Sequence, residues 1–383
     1  MADYVCKPMP IAQGKPRAKR RNEETMPYFD HKPLVIGDLV VPTPVVQGGM
    51  GIGVSLSGLA SAVANEGGLG VISAAAVGML QRGADGARDN ISALKAEIRR
   101  ARAKTKGVLG VNVMVALSDF GEMVKTCVEE GIDVIFAGAG LPLNLPGFVK
   151  KGGKTKLVPI ISSARAVKTI SRWWQEKYHY VPDAFVVEGP MAGGHLGFQR
   201  EQIDDPAYQL ERLVPQVIAA VRPLEEQCGR KIPVIAAGGI FSGADIKRFF
   251  ELGADAVQMA TRFVATDECD ADIAFKNAYV ACKKEDIGII HSPVGMPGRA
   301  IMNDFIRQAE QDEKHPECCP FHCIITCRQK ESPYCISVAL INACKGRLGN
   351  GFAFIGANGY KVDEIVPVKK LFETLAEEYQ HAE

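Results

Sequence analysis

The sequence has no excess of charge of either sign. Its 45 Lys and Arg stand against 44 Asp and Glu, a net charge of +1 over 383 residues. A nucleic-acid partner needs a basic face, so that function class is set aside. No apolar run is long enough to span a bilayer, and no membrane partner is expected. The N-terminus lacks the apolar core of a secretory signal, so the expected location is cytoplasmic. There is no internal repeat and no low-complexity tract. There is also no Gly-x-Gly-x-x-Gly after the first strand, which argues against an open doubly wound sheet.

What is present is an ordinary globular composition, 47% hydrophobic and 23% charged. The length suits one large α/β domain with an appendage. Residues 1–33 are rich in Pro, Lys and Arg, with a basic cluster at Arg17, Lys19, Arg20 and Arg21. They are expected to form a surface arm. After them, short Val- and Ile-rich runs alternate with stretches of helical spacing. The strand candidates are 43–47, 69–73, 108–114, 134–137, 157–161, 185–187, 234–236 and 256–259. The helix candidates are 56–66, 87–103, 119–130, 164–178, 208–227 and 243–252. Apolar runs without alternation suit strands buried on both faces of a parallel sheet. Glycines just past helices, as in Glu66-Gly-Gly, Glu130-Gly-Ile and Leu252-Gly-Ala, end each unit before the next strand. Eight such units predict an α/β protein with a (β/α)8 TIM barrel over residues 34–266. Residues 267–383 are expected to form a cap, helical and polar to about 317 with a break at Ser292-Pro-Val-Gly-Met-Pro-Gly-Arg299, then Cys-rich, with a terminal helix over 371–379.

Chemistry in such a barrel belongs at the C-terminal ends of the strands. The sixth strand runs into Glu188-Gly-Pro-Met-Ala-Gly-Gly-His195, a loop whose glycines allow close backbone approach and which delivers a titratable histidine. Gln47-Gly-Gly-Met-Gly-Ile-Gly53 after the first strand suits a flat aromatic ligand. Asn112, inside an apolar strand, must find a hydrogen-bond partner in the core or on a ligand. Ser162 and Ser163 end the fifth strand. Ala236-Ala-Gly-Gly-Ile240 and Gln258-Met-Ala-Thr-Arg262 follow strands seven and eight, where many barrels bind phosphate. Six of eleven cysteines fall between Cys318 and Cys344. Their spacings match no trusted zinc or ferredoxin pattern, so no metal is expected. If the segment held one, Cys318, Cys319, Cys323, Cys327 and Cys335 would be the ligands.

In order along the chain, Val46-Gln-Gly-Gly-Met50, Ala64-Asn-Glu-Gly-Gly-Leu-Gly70, Gly110-Val-Asn-Val-Met114, Glu188 to His195, Pro233 to Gly239 and Gly253 to Gln258 resemble the nitronate monooxygenase family and its relative, enoyl-acyl-carrier-protein reductase II. Val294-Gly-Met-Pro-Gly-Arg299 is similar to the reductase. The resemblance covers about residues 34–305 and implies an FMN-containing barrel. By motif position, Gln47, Met50, Asn112 and Ser163 would contact the flavin ring or ribityl chain. Gly193, Gly194, Gly238, Gly239, Ala260 and Thr261 would hold the chain and phosphate, with Gly48, Gly49, Glu188 and Met259 completing the cofactor contacts. His195 matches the active-site histidine. Met191 replaces a reductase-like Glu. The implied activity is oxidation of alkyl nitronates with O2. The alternatives are NAD(P)H-dependent reduction of an enoyl thioester with acyl carrier protein as partner, and a flavin or metal redox sensor. A small-molecule substrate is expected, and a homodimer is left open.

Overall fold

Eight apolar runs form the strands of one parallel sheet in a computed structural model that describes residues 28–81, 89–150, 152–311, 316, 319 and 322–382. The strands are β1 (Val45–Gln47), β2 (Gly70–Ser73), β3 (Leu109–Met114), β4 (Val134–Gly138), β5 (Lys156–Ile161), β6 (Phe185–Glu188), β7 (Val234–Ala237) and β8 (Ala256–Met259). From β2 to β8 each strand pairs in parallel with the next, and β8 pairs with β1. The barrel closes where Leu69 donates to Val45 O at 2.9 Å and Gln47 N–H donates to Leu69 O at 3.0 Å. The strands are almost wholly buried, which is why their sequences show continuous rather than alternating hydrophobicity.

A hairpin of Leu34–Ile36 and Leu39–Val41 plugs the N-terminal end. Its Leu34, Ile36 and Val41 pack with Val46, Val134, Val158, Val186 and Ile235 inside the barrel. The opposite, C-terminal end is left for a site. The greater part of the expected arm, with Cys6 and the basic cluster, lies outside the described residues.

Helices α1 (Ser57–Asn65), α2 (Asn90–Lys104), α3 (Phe120–Glu129), α4 (Ala164–Tyr178), α5 (Leu210–Cys228) and α6 (Gly243–Glu251) surround the barrel. Ser242 and Asp245 start α6 as a reciprocal capping box. The fourth crossover carries only a 3-10 turn, Leu145–Phe148. After β8 comes a single short turn, α7 (Thr261–Val264), and then a chain excursion.

That excursion contains α8 (Ile273–Val280), strands β9 (Ile287–His291) and β10 (Pro297–Ile301), α9 (Asp304–Glu310) and α10 (Ile336–Cys344). The break expected at 292–299 is the turn and part of a hairpin, but the helical expectation fails on either side of it, at Ile287–His291 and at residues 300–301. Residues 287–301 form an antiparallel hairpin, and β10 pairs in turn with Gly194–His195. The third strand of this small sheet lies about a hundred residues earlier in the chain, beyond the reach of local periodicity. The chain then returns as α11 (Val368–Gln380), which fills the space between α1 and α6. Phe372 packs on Phe263, and Glu378 pairs with Arg262 at 2.9 Å. A Cβ on Gly243 would stand 2.2 Å from backbone atoms of α11, so glycine is required there by close approach.

Candidate active site

A cavity of about 250 Å³ opens at the C-terminal ends of the strands. Gly48, Gly49 and Met50 after β1, Asn112 on β3 and Glu188 on β6 form its barrel side. The cap supplies the roof, with Ile336, Ser337 and Leu340 of α10 together with Cys323 and Phe354. A smaller chamber shares Glu188, Gly193, Gln258, Ala260, Thr261 and Gly356 with this cavity and adds Gly238, Gly239, Met259 and Asn358.

His195 stands on the cavity wall. Its Nε2 lies 2.7 Å from Ser292 Oγ, and Phe354 meets its ring edge-on at 5.0 Å. Burial pushes the imidazole down to about 4, so the ring is neutral at physiological pH. Burial has the opposite effect on Glu188, whose carboxyl is pushed up to about 7. The Glu188 carboxyl makes no hydrogen bond or ion pair with other described residues.

The loop from Gly189 to Gly194 is clamped from outside the barrel. Arg299 on β10 is buried and donates to Pro190 O and, at 2.8 Å, to Ala192 O. Burial lowers its guanidinium to about 10, still charged at neutral pH. A Cβ on Gly193 would strike the Ile355–Gly356 peptide, whereas the corresponding side of Gly194 is open and its φ is +82°. Only glycine meets both conditions without strain.

The small chamber carries one ionisable side chain, Glu188, and no Lys, Arg or His. Gly238 and Gly239 follow β7 with φ near +93° and +92°. Their N–H groups donate to no acceptor among the described residues, while Asn358 Nδ2 holds Gly239 O at 2.7 Å. Free amides at this end of a barrel suit an anionic group such as a phosphate.

Gln47 and Ser163 do not line either space. Gln47 is fully buried; its amide donates to Gly48 O and accepts from Val71 N–H at 3.0 Å, bracing β1 against β2. Ser163 caps α4 through Ala166 N–H. Asn112 behaves differently. Its Oδ1 is buried with no hydrogen-bond partner, at the edge of the cavity. An orphaned acceptor of this kind, the open face of Gly194 and the free amides of Gly238 and Gly239 fit a long polar cofactor carrying an N–H-bearing ring and a phosphate.

The Cys-rich segment contributes one thiol to the cavity, Cys323, 3.0 Å from Ser337 Oγ. Burial raises the Cys323 and Cys335 thiols above their usual values. Cys319 Sγ accepts from His322 N–H at 3.3 Å. Among the described residues, no three His, Cys, Asp or Glu side chains are gathered into a metal site, and Cys318 lies outside those residues. Ser292, Phe354 and Asn358 had no expected role. Ser292 sits in the expected break at 292–299, but the strand pairing that brings it to His195 has no local signal.

The closed barrel and the cavity at the C-terminal ends of its strands define a TIM-barrel enzyme. The sequence profile of the nitronate monooxygenase family matches residues 32–378, and the chain belongs to that family of flavin-dependent oxidoreductases. Among curated relatives it is 29% identical over 271 residues to the "(3aS,4S,5R,7aS)-5-hydroxy-7a-methyl-1-oxo-octahydro-1H-indene-4-carboxyl-CoA dehydrogenase" of Mycobacterium tuberculosis. That match covers 71% of this chain and 66% of the relative, just under two thirds of its length. It is 27% identical to a probable nitronate monooxygenase of Staphylococcus saprophyticus, covering 74% of this chain and 82% of that one. Among solved structures, FabK from Thermotoga maritima superposes with a TM-score of 0.68 at 29% identity, covering 88% and 92% of the two chains. The nitroalkane oxidase of Streptomyces ansochromogenes shares the fold, with a TM-score of 0.67 at 24% identity over 89% and 96%. No helix among the described residues is long and apolar enough to cross a membrane.

Proposed function

We propose that this protein binds FMN and oxidises alkyl nitronates with O2, giving a carbonyl compound and nitrite. When bound, FMN supplies the electron acceptor and the reaction with O2. The observation that carries the reading is the meeting of three features in one cavity: the orphaned Asn112 acceptor, the free amides of Gly238 and Gly239, and the neutral His195. In this reading Asn112, Gly193 and Gly194 hold the cofactor ring and chain. Gly238, Gly239, Ala260 and Thr261 receive its phosphate. Arg299 keeps the Gly189–Gly194 loop in the shape that this needs. His195 orients the substrate, and α10 with Phe354 shields it from water.

A second reading, reduction of an enoyl thioester through the same cofactor, is favoured by the likeness to FabK at 29% identity and by the apolar roof of Ile336 and Leu340. Met191, 42% exposed beside Gly239, stands where the reductase motif has a Glu, and this departure counts against the second reading. The test is anaerobic. Purified holoprotein is mixed with ethylnitronate, and separately with NADH and crotonyl thioester. Bleaching of the flavin absorbance by nitronate alone is the expected result. Bleaching only by NADH supports the reductase, and protein that takes up no FMN overturns both. His195→Ala should retain FMN and lose most turnover.

A further inference from the structure

We propose that Ser292 is a positioning residue that donates its hydroxyl hydrogen to His195 Nε2, leaving the imidazole proton on Nδ1, so that His195 meets the substrate as a hydrogen-bond donor and selects preformed anions such as nitronates over neutral nitroalkanes. The substrate class rests on the reading above, whereas the tautomer does not.

The assignment follows from counting hydrogens around one buried oxygen. Ser292 is 1% exposed. Its Oγ accepts the Val294 N–H at 3.3 Å and stands 2.7 Å from His195 Nε2. A hydroxyl has one hydrogen to give, and no other acceptor for it is found among the described residues. If Nε2 carried the proton, Oγ would accept twice and its own O–H would be buried without a partner. A buried donor left unpaired costs about 1–3 kcal/mol. Donation from Oγ to Nε2 satisfies every group, and the tautomer is thereby fixed.

The contact is held by the fold. Ser292 sits in the turn between β9 and β10, where its N–H reaches Met296 O at 3.2 Å and its carbonyl accepts from Gly295 at 2.9 Å. β10 pairs with the short strand that carries His195, with Gly298 opposite His195. Leu196 N–H donates to Pro297 O at 2.8 Å, continuing the same pairing. The hydroxyl and the imidazole therefore ride on neighbouring strands of one sheet. His195 Nδ1 has no protein partner among the described residues, and the ring lines the cavity. A neutral ring protonated at Nδ1, with its other nitrogen occupied by Ser292, has no free lone pair for an α-carbon proton. It has one N–H for an anionic oxygen. No proton changes owner in this contact.

Two measurements on FMN-loaded protein test the proposal. Long-range proton–nitrogen spectra of histidine-labelled protein, with His195 assigned by His195→Gln, should show Nδ1 protonated and Nε2 unprotonated. Ser292→Ala should turn that single tautomer into a mixture, and Ser292→Thr, which keeps the hydroxyl, should restore it. In oxygen-consumption assays Ser292→Ala should lower kcat/KM for ethylnitronate about tenfold, and Ser292→Thr should recover most of it. Neutral nitroethane should be consumed no faster than it ionises. An Nε2–H signal in the wild type overturns the proposal, as does an unchanged tautomer in Ser292→Ala. A deuterium isotope effect on direct turnover of neutral nitroethane would show His195 acting as a base and overturn it equally. If ethylnitronate is not a substrate, the spectra still decide the tautomer, so the two readings fail separately.

Discussion

Replacing Asn112 with Leu separates a cofactor contact from a core residue. Leucine keeps the Cβ and the branch at Cγ, so the tight approach of Asn112 to Gly49 is preserved. What is lost is the acceptor Oδ1, which is buried and unpaired. An unpaired buried acceptor costs about 1–3 kcal/mol. In the apoprotein that cost disappears with the oxygen, and the unfolding midpoint should rise or stay where it is. In the complex the same oxygen would accept a hydrogen bond from the cofactor, so its removal should weaken FMN binding by about 1–3 kcal/mol, or roughly 5- to 150-fold. Apoprotein prepared by mild chaotrope treatment, titrated with FMN and followed by quenching of flavin fluorescence, gives the Kd. Denaturant unfolding of the same sample gives the stability. The opposed signs are the signature. If Asn112→Leu binds FMN as tightly as the wild type, the cofactor does not use this oxygen. If instead the apoprotein loses stability, Asn112 belongs to the core.

The pH dependence of unfolding should carry two buried groups of opposite slope. Below about 6.5 the unfolded chain takes up a proton on His195 that the folded protein resists down to about 4, so this contribution, of order 1 kcal/mol, is full above 6.5 and lost as pH falls. Glu188 is held protonated up to about 7, so its contribution is full below about 4.5 and lost as pH rises; urea midpoints of His195→Gln and Glu188→Gln should lose the acid-side and alkaline-side slopes respectively. Gly243→Ala should lower the thermal midpoint sharply, because its Cβ would stand 2.2 Å from the backbone of α11, and a midpoint within a degree of the wild type refutes that packing. Arg299→Met should release Pro190 and Ala192, costing about 1.5–3 kcal/mol for each charged hydrogen bond lost and speeding FMN dissociation, which stopped-flow fluorescence reads.

The barrel was legible because each of its units is written locally. Phe185, Val186 and Val187 are buried on both faces, so they form a continuous apolar run, and Leu252-Gly253-Ala254 ends a helix with a glycine at φ +94°. Such signals need only nearest neighbours. The loops at the strand ends were legible for a related reason: glycines at 193–194 and 238–239 mark where backbone must take positive φ or approach another chain segment, whatever lies across from them. Gln47 and Ser163 show the limit. Both sit in the right loops, yet the direction of the side chain is a tertiary matter. Gln47 turns to Val71 and Ser163 to the α4 N-terminus.

The sequence by itself determined that strands alternate with helices, that the eighth strand closes on the first, and that His195 leaves the sixth strand beside two glycines. Only the tertiary structure decided what His195 touches. Ser292 is 97 residues away along the chain, and Phe354 further still. They reach the ring because an antiparallel hairpin, expected only as a break in a helical stretch, pairs with the two-residue strand Gly194–His195. The eighth place in the helix ring likewise goes to α11, after an excursion of about a hundred residues. Pairing partners and packing partners of this separation leave no periodicity in a local window, because the free energy that selects them comes from burial across the whole fold.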